Sequence, residues 1–76
     1  MLPRVKNVKP LPEYRLELTF TNGEVRIYDC QPILGFGVFS ELTDPNYFSQ
    51  VRVSLGTVMW PNEQDICPDT LYIDSR

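Results

Sequence analysis

Asp65 and Asp69 stand four residues apart, a spacing that brings two carboxylates together if both lie on one helical turn. Paired carboxylates perform acid–base chemistry only when their environments separate their pKa values. Helix capping and solubility are the competing roles for the same two residues. No histidine is present, which removes the commonest general base, the commonest partner of a nucleophilic Ser or Cys, and the commonest metal ligand. Two cysteines, Cys30 and Cys67, cannot by themselves complete a four-ligand Cys/His zinc site within one chain. Gly35-Phe36-Gly37 lacks the further glycine of a dinucleotide fingerprint, and no GxxxxGK[ST] stretch occurs. No catalytic residue, cofactor-binding residue or metal ligand is therefore assigned.

Recognition of a partner needs less. Met59, Trp60, Asn62, Asp65 and Tyr72 form the candidate surface, because Trp and Tyr dominate binding hot spots and the intervening loop is polar. The competing reading makes Trp60 the largest core residue of a small sheet.

With 76 residues, 42% of them apolar and 22% charged, the chain has the mixture of one globular domain spanning 1–76. Its N-terminus has no apolar stretch of the kind a secretory signal uses, and no run approaches the roughly 18 apolar residues of a membrane span. The expected compartment is the cytoplasm. Both thiols are expected to be reduced and mostly buried there. Net charge is −3, distributed unevenly. Residues 1–26 carry Arg4, Lys6, Lys9, Arg15 and Arg26 against Glu13, Glu17 and Glu24, whereas residues 27–76 hold seven acidic residues against Arg52 and Arg76. The overall sign disfavours direct nucleic-acid binding, which depends on displacing phosphate counterions.

The elements that must carry the candidate surface follow from periodicity. Tyr14 to Phe20 alternates apolar and polar side chains, the pattern of a half-buried strand. Asn22-Gly23 suits a two-residue type I′ turn, and Glu24 to Tyr28 supplies the returning strand. That turn would place Phe20 opposite Val25 and Leu18 opposite Ile27. Val5 to Lys9, bracketed by prolines, reads as an edge strand. Pro32 suits the first turn of a short helix, and Val38, Phe39 and Leu42 fall on one helical face. Asp44-Pro45 has the form of an N-cap followed by N1, with Tyr47 and Phe48 as core anchors.

Val51, Val53 and Leu55 alternate again before Gly56 and the run Thr57 to Trp60. A turn at Leu55-Gly56 pairs Val53 with Val58, but asks Leu55 to accept positive φ. A three-residue loop ending in Gly56 is the other geometry, and the register stays open. Pro61 ends the strand, and Pro68 with Asp69 opens a terminal helical turn. The fold class is α+β: a small antiparallel sheet of two hairpins plus an edge strand, with short helices packed on it. Only Arg52 is charged in the second hairpin, which makes that hairpin the expected site of strand addition.

The residues Tyr14-x-Leu16-x-Leu18-x-Phe20-x-Asn22-Gly23-Glu24, Asp29, Phe39-x-x-Leu42-x-Asp44 and Phe48-x-x-Val51 resemble the bacterial domain of unknown function numbered 2442. So does the most specific part, Trp60-Pro61-Asn62-x-x-Asp65-x-x-Pro68-Asp69-x-Leu71-Tyr72. The likeness spans nearly the whole chain. It departs at Glu63, where glycine is expected, and at Cys30, where an aliphatic residue is common. The resemblance implies a compact α+β domain without known enzymatic activity, found alone, fused to helix-turn-helix domains, or in toxin–antitoxin-like gene pairs. No helix-turn-helix segment lies in these residues. The expectation is a protein-interaction or regulatory module, antitoxin-like, with a protein partner or self-association. The alternative is a small ligand-binding domain or enzyme using the acidic C-terminal loop.

Overall fold

A computed structural model describes residues 2–76. Three strands, β1 (Val5–Leu11), β2 (Arg15–Phe20) and β3 (Val25–Asp29), form an antiparallel sheet in the order β1-β2-β3. A separate antiparallel pair, β4 (Arg52–Ser54) and β5 (Thr57–Met59), follows two 3₁₀ helices (Gln31–Ile33 and Gly37–Thr43) and α1 (Pro45–Phe48). The chain then passes into α2 (Pro68–Asp74). This is the expected α+β class, its strands divided between two sheets. The hairpin β4–β5 touches the larger sheet at its tip, where the Val5 N–H donates to the Gly56 carbonyl at 2.9 Å.

One face of β2 makes the core. Leu16, Leu18 and Phe20 alternate inward along the strand and are fully buried, together with Leu42, Val58, Trp60 and Leu71 from the elements packed on it. Each such side chain contributes about 1.5–3 kcal/mol when removed from water. Period two in β2 therefore fixes which face the rest of the chain must cover.

The first hairpin closes differently from the expected type I′ turn. Its loop has three residues: Phe20 N–H donates to the Glu24 carbonyl, and Gly23 N–H to the Phe20 carbonyl. Only Gly23, at φ 90°, needs the left-handed region. Thr19 thus pairs with Val25 and Glu17 with Ile27, one residue away from the expected partners. A one-residue slip turns a strand over. Glu24, Arg26 and Tyr28 consequently share the inner face, while Val25 is 58% exposed. The slip buries the large Tyr28 ring and lets the inner Glu24 and Arg26 be covered by α2.

Tyr14, expected inside β2, lies in the turn before it at φ 60°, beside Glu13 at φ 66°. Its ring packs edge-on against Phe48 at 5.5 Å, and its hydroxyl donates to the Thr43 carbonyl. These contacts hold an aromatic residue in a conformation that L-residues disfavour. β1 extends through Pro10 to Leu11, which an edge strand tolerates because the missing N–H need not face a neighbour.

The second hairpin takes the two-residue form. Val53 pairs with Val58, and Leu55 (φ 53°) and Gly56 (φ 78°) form the turn. Leu55 accepts the left-handed region while 91% exposed, so packing between β4 and β5 overrides the turn residue's own preference. Asp44 caps α1 as expected, its side chain accepting from the Asn46 N–H at 3.0 Å.

Candidate partner-binding surface

Trp60 follows β5 with its side chain wholly buried. Its indole N–H donates to the Phe48 carbonyl at 3.0 Å, tying β5 to the last residue of α1. Trp60 is therefore the core residue of the competing reading, and presents no surface. Beyond it, Trp60 N–H donates to the Gln64 carbonyl and Glu63 N–H to the Trp60 carbonyl, both at 2.9 Å. This repeats the three-residue geometry of the first hairpin. Glu63, at φ 69°, occupies the place that Gly23 holds there, which explains why glycine is the expected residue at 63. The loop keeps its shape without it.

Four polar side chains fasten this loop to its neighbours. The Asn62 backbone N–H donates to the Tyr47 hydroxyl at 2.9 Å, and its amide donates to Glu41 Oε2 at 2.7 Å. The Gln64 amide donates to Glu41 Oε1 at 2.9 Å and to the Val38 carbonyl at 3.0 Å. Gln64 in turn accepts from the Tyr47 hydroxyl. Gln64 is buried, so each of these bonds replaces one to water and leaves no polar atom unpartnered. The network joins the second 3₁₀ helix, α1 and the 62–64 loop. A glutamine in a polar loop carries no sequence signature, and neither Gln64 nor Glu41 was legible as a site residue.

The same network explains Val38. An α-helical reading puts Val38, Phe39 and Leu42 on one face. The observed helix is 3₁₀, with about three residues per turn, so Phe39 and Leu42 face the core while Val38 turns with Glu41 toward the loop. Val38 is 68% exposed and Phe36 63% exposed. Two large apolar side chains thus stand in solvent on a segment whose backbone is pinned by Gln64.

Met59 and Asp65 are paired by an isolated antiparallel bridge, so the 62–66 segment lies along β5. Thr57 reinforces it by donating its hydroxyl to the Ile66 carbonyl. The outer side of β5 is thereby occupied by the chain's own loop, against the expectation of strand addition there. Asn62 and Asp65 are exposed, and Met59 is half-buried. Tyr72 lies apart from them. It sits on α2 over the first hairpin, where its hydroxyl donates to Glu24 Oε1 at 2.7 Å. Of the five candidate residues, the structure gathers Met59, Asn62 and Asp65, buries Trp60 and separates Tyr72.

Asp65 and Asp69 do not share a helical turn, because α2 begins at Pro68. Among the described residues no group of three or more Cys, Asp or Glu side chains is placed to hold a metal ion. Cys30 is fully buried, and burial pushes its thiol up to about 12, with Asp29 adding to the effect. Cys67 is exposed, contrary to expectation, because it is the N-cap of α2 rather than a core residue. The N–H groups of Thr70 and Asp69 favour its thiolate and hold it below the usual thiol range. Both cysteines are free. No helix of the described residues is long and apolar enough to cross a membrane.

A small α+β domain with a pinned apolar pair beside an Asn-bearing loop is the class that fold and surface define. A family model described as "Protein of unknown function (DUF2442)" matches residues 5–76. The chain belongs to that family. Searches of curated proteins and of solved structures found no match.

Proposed function

We propose that this domain is a non-catalytic protein-interaction module, the antitoxin-like regulatory member of a small gene pair, and that it meets its partner through Phe36, Val38 and the Asn62–Asp65 loop. The observation that carries this reading is the pinned exposure of Phe36 and Val38. Neither side chain is needed by the core, yet Gln64 and Glu41 fix the segment that displays them. A preorganised apolar pair costs less to immobilise on binding than a mobile one. Asn62 and Glu41 at its margin supply the polar rim that gives such a contact selectivity. The regulatory role rests on the likeness to domains found in such gene pairs. The proposed setting is the bacterial cytoplasm, which accords with two free thiols. A net charge of −3 leaves direct nucleic-acid contact outside the reading.

Affinity capture from the native host, followed by mass spectrometry, tests it when run on three forms of the protein. Wild type is expected to recover a partner encoded beside its own gene. Phe36→Ser combined with Val38→Ser is expected to lose that partner at unchanged unfolding midpoint. Leu55→Ser, which removes a still more exposed apolar side chain elsewhere, is expected to retain it. Equal recovery by all three forms would remove this surface from consideration.

A further inference from the structure

The alternation of pairing along β2 and β3 decides what the outer edge of β3 offers. Bonds between Phe20 and Glu24 and between Cys30 and Tyr14 mark the phase in which backbone groups point at β2. Val25, Ile27 and Asp29 lie in the opposite phase, so their N–H and C=O groups point away from the sheet. Ile27 shows what this edge accepts. Its N–H donates to the Arg76 carbonyl at 2.8 Å, and the Arg76 N–H donates back at 2.9 Å. Two bonds exchanged between one pair of residues is the mark of antiparallel strand pairing. The outward groups of Val25 and Asp29 have no backbone partner among the described residues.

The edge is also only lightly protected. β1 at the other side of the sheet carries Lys6 and Lys9, Pro10 and a bulge between Val5 and Asn7, the devices that discourage further pairing. β3 has no lysine, proline or bulge; its charges are Arg26 on the inner face and Asp29, and among the described residues the chain's own Arg76 covers it at Ile27 alone. Beside it lies a cleft of about 700 Å³ between β3 and α2, lined by Ile27, Tyr28, Asp29, Thr70, Asp74 and Arg76 among others. The carboxylates of Asp29, from β3, and Asp74, from α2, both line this cleft. Neither carboxylate has an ion-pair partner within 4.0 Å among the described residues.

We propose that the edge of β3 is a strand-addition site for an extended basic peptide, which displaces Arg76 and sets an arginine or lysine between Asp29 and Asp74. An incoming strand makes the pair at Ile27 that Arg76 now makes and adds pairs at Val25 and Asp29. Its gain over the resident segment is therefore backbone pairing, while the two carboxylates select the side chain. This surface is distinct from Phe36 and Val38, and its occupant is an unfolded segment rather than a folded face.

The probe is a synthetic pentapeptide, acetylated and amidated, of sequence Thr-Val-Arg-Val-Thr, titrated into isotope-labelled protein and followed by amide NMR and hydrogen exchange. The amides of Val25, Ile27 and Asp29 are expected to shift and to exchange more slowly. Asp29→Asn with Asp74→Asn is expected to weaken binding about tenfold, since asparagine keeps the oxygen that accepts from the Gln31 N–H but not the charge. Arg76→Pro, which removes the resident N–H donor, is expected to strengthen binding several-fold. The peptide methylated at alternate backbone nitrogens is expected not to bind, and Phe36→Ser with Val38→Ser to bind as wild type. No shift on β3 at millimolar peptide would overturn the proposal, as would shifts centred on β4 or Phe36. Indifference of the affinity to both the Asn pair and Arg76→Pro would overturn it equally.

Discussion

The Arg26 guanidinium lies 4.0 Å from the centre of the Tyr72 ring, and through this stack α2 is fastened to the first hairpin. Arg26 also donates to Glu24 Oε2 at 2.8 Å and to the Tyr72 carbonyl at 3.0 Å, while the Tyr72 hydroxyl donates to the other oxygen of the same carboxylate. Phe20 meets the Tyr72 ring edge-on at 5.1 Å from beneath. The cluster closes on itself with every charged group partnered.

Removing one member therefore leaves others without partners. Tyr72→Phe keeps both ring contacts and loses one charge-assisted bond, so a lower urea midpoint than wild type is expected. Arg26→Met keeps an apolar stem but removes the donor to the Glu24 carboxylate and the Tyr72 carbonyl together with the ring stack, and a larger drop in midpoint than for Tyr72→Phe is expected. An Arg26→Met midpoint equal to wild type would show that the stack carries no stability.

The same cluster sets an acid limb. The Tyr72 hydroxyl, then Arg26 and the Asn22 amide, hold the Glu24 carboxyl below its ordinary value of 4.5. A depressed folded-state pKa contributes stability that is fully present above the unfolded value and disappears as pH falls through the folded one. Tyr72 has the opposite sign. Its bond to Glu24 raises the phenol, so that contribution is present below the unfolded value of about 10 and is lost as pH rises through the folded one. Unfolding midpoints measured across pH should therefore fall at both ends for wild type. Glu24→Gln should flatten the acid limb, and Tyr72→Phe should make both limbs shallower, with the alkaline drop that remains coming from Tyr28, which burial also raises.

Two left-handed residues mark places where the sequence opposes its own backbone. Leu55 at φ 53° and Glu63 at φ 69° each hold a conformation that costs an L-residue roughly 1–2 kcal/mol. Leu55→Asn and Glu63→Gly should each raise the unfolding free energy read from denaturant titration, by about 0.5–1 kcal/mol once the greater freedom of the unfolded chain is counted. Gly23→Val reverses the experiment. Its added Cβ meets no atom within 4 Å, so the expected loss of about 1–2 kcal/mol is conformational strain alone.

The thiols should part company in a labelling experiment. Native protein treated with iodoacetamide is expected to gain one adduct, at Cys67, and a second at Cys30 only after unfolding. Burial with a thiol pushed up to about 12 protects Cys30, whereas the first turn of α2 favours the Cys67 thiolate. Two adducts on the native protein, formed at similar rates, would contradict this assignment.

The strand content of the first hairpin, the cap at Asp44 and the start of α2 at Pro68 all rest on features local to a few residues. Alternation, a capping side chain or a proline at N1 acts within one turn or one strand, and the sequence by itself determined these. The hairpin registers did not have that character. Asn22-Gly23 favours the two-residue turn that was expected, yet a three-residue loop forms, and the choice fell to Tyr28 and to α2, whose Tyr72 arrives from 48 residues away to cover Glu24. At Leu55 the local preference was overruled outright, because pairing Val53 with Val58 fits the core better than sparing one exposed residue its strain. The candidate surface was least legible of all. Gln64, Glu41 and Val38 come together only when a 3₁₀ helix replaces the α-helix that the pattern implied, since a turn of three residues rather than 3.6 swings Val38 outward. Local periodicity named the elements, and long-range packing decided which face each one shows.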